Sequence, residues 1–225
     1  MKNYELDNPT GFIHQIKGLE TIYLNCFGYK TNGVYVEVGA NNGMFVSNTY
    51  GLSKIGWMGL LIEPQERFLN EAKIAYKDFP NTKFHNGCVG EIKGKIKLFI
   101  GETSSLATIN EKFVDIYNQI SWSEGILNKE KFVELDCDTL NNILIDNNIP
   151  KNFDLLVIDV EGAELSVLNG FDISNWNPKM VIIEMCEMNE HRSLTCDNDK
   201  INEYFNNAGY YKIYKDEINT IFIKP

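Results

Sequence analysis

The sequence predicts an α/β fold in which a mostly parallel sheet carries helices on both faces. Apolar runs of strand length alternate with longer segments of helical period along most of the 225 residues, which is the pattern of strands buried on both sides. The first such run, "VYVEVGANNG" (Val34 to Gly43), leads into a glycine- and asparagine-rich turn of the kind that joins a strand to a helix. The closing stretch, "YYKIYKDEINTIFIKP", reads as two strands around a turn at Asp216 to Asn219, an antiparallel pair at one edge of the sheet.

In chain order, "GVYVEVG" is the first strand, residues Phe45 to Lys54 a helix, and "GWMGLLIEP" a second strand stopped by Pro64. A helix from about Gln65 to Tyr76 follows, with Phe68, Leu69, Ala72 and Tyr76 on one face. "TKFHNGCVG" reads as a third strand. "GKIKLFIG" alternates Ile96, Leu98 and Ile100 with lysines and Phe99, as a half-exposed strand does. Residues 102–131 read as an insertion or cap with a helix over Glu111 to Gln119. "KFVELDCDTLNNILIDNNIP" gives a strand and then a helix with Asp138 as its N-cap, closed before Pro150. "FDLLVIDVEGAEL" is a strand ending at Asp159 with a helix from about Gly162, "KMVIIEM" another buried strand, and "DKINEYFNNAGY" an amphipathic helix. With no linker or repeat, residues 1–225 read as one domain, of which 1–32 form a helical or irregular lead-in.

Composition narrows the function. Lysine and arginine number 21 against 31 acids, a net charge of −10, and no basic stripe interrupts the excess. Nucleic acid is not an expected partner, because such binding depends on neutralising phosphates. The five cysteines, Cys26, Cys88, Cys137, Cys186 and Cys196, form no C-x-x-C pair and read as reduced thiols. No signal-peptide core and no run near the ~18 apolar residues of a membrane span are present, so a soluble, cytoplasmic protein is expected.

In an open parallel sheet, ligands bind beyond the carboxyl ends of the strands. Glu37, Gly39, Ala40, Asn41, Asn42 and Gly43 occupy that place after the first strand. Glycine at 39 and 43 lets a ligand approach the backbone, and asparagine tolerates the left-handed region. A dinucleotide fingerprint needs glycine at 41 and 44, where this chain has Asn41 and Met44, and no G-K-[ST] follows for a P-loop. Glu63 ends the second strand, where an acid accepts hydrogen bonds from ribose hydroxyls. Together they point to an adenosine-bearing cofactor without phosphates.

The segments "VYVEVGANNG", "GWMGLLIEP", "GETSSL" and "FDLLVIDVEGAELSVLNGF" resemble the FkbM-type S-adenosylmethionine-dependent methyltransferases, over roughly Gly33 to Met185. The resemblance implies a Rossmann-like class I methyltransferase fold with a seven-stranded sheet and an antiparallel C-terminal strand. It also implies O-methylation of a sugar, glycan or similar small-molecule alcohol. Carried over by position, Glu37 and the Gly39 to Gly43 turn face the methionine part and ribose of the cofactor, and Glu63, followed by Pro64, holds the ribose. Cys88 and Val89 lie near the adenine, and Ser105 and Leu106 close over cofactor or acceptor.

Transfer from a sulfonium needs alignment, and a weakly nucleophilic hydroxyl also needs a base. Acids cluster after the later strands: Asp159, Glu161 and Glu164, then Glu184, Glu187 and Glu190 with His191. Asp159 belongs in the site first and as base second. Glu161 and Glu164 also suit the first turn of a helix, where the dipole favours acids, and His191 is either a base or a surface loop residue. A divalent ion held by Asp159 and Glu184 is an alternative way to acidify the hydroxyl, although no D-D or D-N pair supports it. His14 and His85 read as structural, and Trp122 as a residue able to stack on a sugar ring. Two rival functions stay open: a nicotinamide-dependent oxidoreductase or epimerase, and a non-catalytic cofactor-binding module.

Overall fold

A computed structural model describes residues 15–101, 106–121, 123–185 and 197–225. Helix α1 (Leu19–Phe27) leads into β1 (Val34–Val38), and the turn after it runs to α2 (Tyr50–Lys54). Strand β2 (Met58–Ile62), helix α3 (Glu66–Ala75) and β3 (Thr82–His85) complete the first half of the main sheet. Four further strands, β4 (Cys88–Val89), β5 (Gly94–Ile100), β6 (Ala107–Thr108) and β7 (Phe132–Asp138), leave it, with α4 (Glu111–Tyr117) between the last two. The chain returns through α5 (Leu140–Asp146), β8 (Leu155–Ile158), α6 (Glu164–Asn169), α7 (Ile173–Trp176) and β9 (Met180–Glu184). Helix α8 (Asn198–Asn207) and strands β10 (Tyr211–Lys215) and β11 (Asn219–Ile223) end it.

The seven-stranded sheet has the order β10-β11-β9-β8-β1-β2-β3. Strand β11 runs antiparallel to both β9 and β10, while the remaining neighbours are parallel. The chain moves outward from β1 to β3 and then returns to β8, so the topological switch point lies between β1 and β8. Val36 and Val38 face a core built with α5, α6 and α8, and Tyr35 faces the opposite core under α1, α2 and α3. Two-sided burial explains the unbroken apolar runs in the sequence. Among the described residues no helix is long and apolar enough to cross a membrane.

Several expected elements differ. The helix expected from Phe45 begins only at Tyr50, because Val46 takes a φ of 45° and Ser47 Oγ accepts from Thr49 N and Tyr50 N, side-chain bonds that compete with a helix. The single third strand divides into β3 and β4, which lie in different sheets; Asn86 Nδ2 bonds Glu63 O and Pro64 O and turns the chain between them. Strand β4 then joins a second sheet, β4-β7-β5-β6, that was not foreseen. The N-cap of α5 is Thr139, whose Oγ1 accepts from Asn142 N, while Asp138 ends β7 and pairs with Lys93 at 2.7 Å. Helix α6 starts at Glu164 rather than at Gly162, since Glu161 (φ 54°) and Gly162 (φ 89°) are both left-handed.

Candidate active site

Register decides what meets at the switch point. Val38 pairs with Ile62 on one side and Ile158 on the other, so the next residues, Gly39, Glu63 and Asp159, leave three adjacent strands at one level. They open onto a cavity of about 220 Å³. Glu37, Ala40, Asn41, Pro64, Cys88, Val89 and Glu161 also line it. Four acids therefore face this space, and among the described residues no lysine, arginine or histidine does.

The turn is held from two directions. Gly39 N and Ala40 N both donate to Ile62 O at 3.0 Å. Gly39 has φ 84°, and a Cβ built on it would stand 1.8 Å from Asp159 O, so the position requires glycine for its contact with β8. Asn41, left-handed at φ 50°, donates its N–H to Glu63 Oε2 at 2.9 Å, while Gln65 N donates to Glu63 Oε1 at 2.8 Å. The acid is thereby fixed by two backbone donors at the mouth of β2.

Three residues expected at the cofactor are not on this wall. Asn42 caps the following turn, its Oδ1 accepting from Met44 N and Phe45 N. Gly43 lies against α3's end, where a Cβ would come 2.6 Å from the Tyr76 ring, whose hydroxyl bonds Gly43 O. Leu106 packs with Phe99, Phe113 and Tyr117 in a small separate core. Ser105, His191, Glu187, Glu190, His14, Trp122, Cys186 and Cys196 lie outside the described residues. Glu184 is buried at the end of β9 opposite Asn219 and does not line the cavity. Glu164 is turned back into its own loop, its Oε1 accepting from Val160 N and Gly162 N. Among the described residues no group of three or more His, Cys, Asp or Glu is placed to hold a metal ion.

The wall also includes residues that no motif or spacing singles out. Thr108 and Ile109 approach from the second sheet and its exit, half-exposed Phe45 stands at the rim, and Asn48 is buried beside it. Asn48 Oδ1 has no hydrogen-bond partner. No local signal marks these positions, because they reach the cavity through irregular backbone or through the unforeseen sheet.

Burial shapes the electrostatics of these acids. Glu37 is pushed up to about 8 by burial and then by the charge of Asp159, against a 2.6 Å bond from Thr49 Oγ1 that favours the ionised form. Glu63 is pushed up to about 7 by burial, with its two backbone donors opposing. Glu164 is raised by burial and by Asp159. Cys88 rises to about 12, chiefly through burial.

These acids bind protons in the folded state that the unfolded chain releases near the ordinary value of 4.5. The stability contributed by these acids therefore falls as pH rises from about 4.5 through 7 and 8, and levels off above. Urea unfolding is expected to show a loss on the order of several kcal/mol between pH 5 and pH 8. Glu37→Gln should flatten the upper part of that slope; an unchanged slope would show that Glu37 ionises normally.

Comparison with known proteins supplies the family. The chain matches the methyltransferase FkbM domain over residues 37–211. A comparison with curated protein sequences gives no match. Among solved structures, precorrin-6y C5,15-methyltransferase from Geobacter metallireducens GS-15 is similar with a TM-score of 0.51 and 11% identity, covering 100% of both chains. Monomeric WbdD is similar with a TM-score of 0.52 and 11% identity, over 93% of this chain but only 41% of that one. Identities this low show the fold alone, the Rossmann-like class I methyltransferase fold, and the seven-stranded sheet with its single reversed strand, β11, has the form expected of it. The family match, covering most of the chain and including the Gly39 turn, Glu63 and Asp159, goes further: this chain belongs to the FkbM methyltransferase domain family.

Proposed function

We propose that the protein transfers a methyl group from S-adenosylmethionine to a hydroxyl of a neutral sugar, glycan or similar metabolite. The observation that carries this reading is the meeting of the Gly39–Asn41 turn, Glu63 and Asp159 around one acid-lined cavity. The residues suit the methyl donor implied by the family. Glu63 presents a buried carboxylate where ribose hydroxyls would donate, and Asn48 Oδ1 is a buried acceptor lacking a donor. A wall of acids, with no cation among the described residues, fits a sulfonium and an α-ammonium better than it fits a pyrophosphate.

When bound, the donor supplies an already activated methyl group, so the chain's task is alignment and proton removal. To Asp159, which packs by its backbone against Gly39 and lines the cavity, we assign the sulfonium side. Glu161, two residues further along the same wall, is the residue to which we assign the acceptor's proton. Leu98, Ala107 and Ile109 also line the cavity, and their apolar surface suits the face of a neutral sugar.

Isothermal calorimetry with S-adenosylmethionine, S-adenosylhomocysteine and NAD tests the donor. The first two are expected to bind; binding of NAD alone would overturn the reading in favour of an oxidoreductase. Glu63→Ala is expected to weaken S-adenosylmethionine by about 10- to 100-fold, the loss of charge-assisted bonds worth ~1.5–3 kcal/mol. Incubation of the protein with the donor and a panel of sugars, read as a methyl mass gain, tests the acceptor class.

A further inference from the structure

Helix α4 comes from the stretch that the sequence reads as an insertion, yet one of its faces is committed to Glu161 of the cavity wall and to Gly162 next to it. Asn110, its N-cap, donates from Nδ2 to Gly162 O at 2.7 Å. One turn on, Phe113 covers Gly162 so closely that a Cβ there would lie 2.3 Å from the ring. A further turn on, the Tyr117 hydroxyl donates to Glu161 Oε2 at 2.8 Å. The spacing of 3 and 4 residues puts all three on one helical face.

The residues they grip are the left-handed pair Glu161 (φ 54°) and Gly162 (φ 89°). Glutamate rarely occupies that region, and such a backbone persists only where its surroundings over-determine it. Here the backbone is held from the α4 side by Asn110 and Phe113 and from the other by Glu164 Oε1, which accepts from Gly162 N. Ordinary core packing accounts for the Phe113 and Tyr117 rings, which are 1% exposed. It does not account for a phenol bonded to a carboxylate on the cavity wall.

We propose that α4 is the device that aims Glu161 into the cavity, with Tyr117 as its positioning residue. This rests on the assignment of Glu161 to the acceptor's proton. The phenol fixes the carboxylate's orientation and favours its ionised form, trading some basicity for geometry. Among the described residues, the other ionisable groups of this wall and loop are Asp159, Glu37, Glu63, Cys88 and Glu164, none of them a cation. Glu111, Lys112 and Asp115 of α4 are exposed, and Lys129 bridges Glu111 at 3.6 Å and Asp115 at 2.6 Å.

The test is a carboxyl-carbon NMR titration of glutamate-labelled protein, with the Glu161 resonance assigned by its loss in Glu161→Gln. In Tyr117→Phe, which keeps the ring, the Glu161 midpoint is expected to rise by about one pH unit as the bond is removed. An unmoved midpoint in a folded variant would overturn the proposal. The reciprocal readout is the Tyr117 ring-carbon resonance next to the hydroxyl, expected to follow the Glu161 titration in the wild type and to stop doing so in Glu161→Gln. It decides the matter should Tyr117→Phe fail to fold, and a resonance indifferent to Glu161 would equally sink the idea. Calorimetry on the same wild-type sample separates the two claims: absence of S-adenosylmethionine binding removes the methyl-donor reading, while the titrations still decide the Tyr117 contact.

Discussion

Gly39→Ala is expected to abolish measurable S-adenosylmethionine binding and to destabilise the fold by on the order of 3–5 kcal/mol. Two costs combine. A non-glycine residue at φ 84° loses roughly 1–2 kcal/mol, and the new Cβ would lie 1.8 Å from Asp159 O, a backbone atom that cannot rotate away. The turn has no easy retreat, since Gly39 N and Ala40 N are both bonded to Ile62 O. Relief must come from parting β1 and β8 where their ends form the cavity. Gly43→Ala is the control. It shares a positive φ of 70° and meets the Tyr76 ring at 2.6 Å, but it lies off the cavity wall. It should lose stability while its folded fraction still binds the donor. Urea unfolding and calorimetry on both variants give the comparison, and a Gly39→Ala protein that binds within tenfold of wild type would show that close backbone approach is not needed there.

The main sheet was legible because its central strands are buried on both faces: "VYVEV", "MGLLI", "LLVI" and "MVIIE" leave little room for another reading. The strand ends were legible too, because Gly39, Pro64 and Asp159 punctuate them, and Glu37, Gly39, Ala40, Asn41, Glu63, Pro64, Cys88, Val89, Asp159 and Glu161 all line the same cavity. What escaped was set by contacts distant in sequence. "TKFHNGCV" has no local mark for the break between β3 and β4, which depends on Asn86 reaching back to Glu63 O and Pro64 O. Gly43 looks like a ligand glycine until Tyr76 is found against it. Asn110, Phe113 and Tyr117 have the spacing of any amphipathic helix, and only the fold shows that they close on Glu161 and Gly162.

Glu161→Gln is expected to slow methyl transfer by about 10²- to 10⁴-fold, the usual worth of a positioned general base, while the Kd for S-adenosylmethionine stays within a few-fold of wild type. The amide keeps the shape of the side chain and can still accept from Tyr117, so a loss confined to turnover reports proton removal. Asp159→Asn should behave differently. Asp159 abuts Gly39, and its charge is felt by both Glu37 and Glu164; neutralising it should weaken donor binding as well as transfer, and let Glu37 ionise at lower pH. Single-turnover methylation of an acceptor that the wild type accepts, followed across pH, separates the two. Wild-type rates should rise with pH through the titration of the base and then level, and Glu161→Gln should lose that rise. Were Glu161→Gln to keep it, with a rate within tenfold of wild type, while Asp159→Asn was inactive despite binding the donor, the base would be Asp159. The clamp of α4 on Glu161 would then hold the wall of the acceptor site and not its proton acceptor.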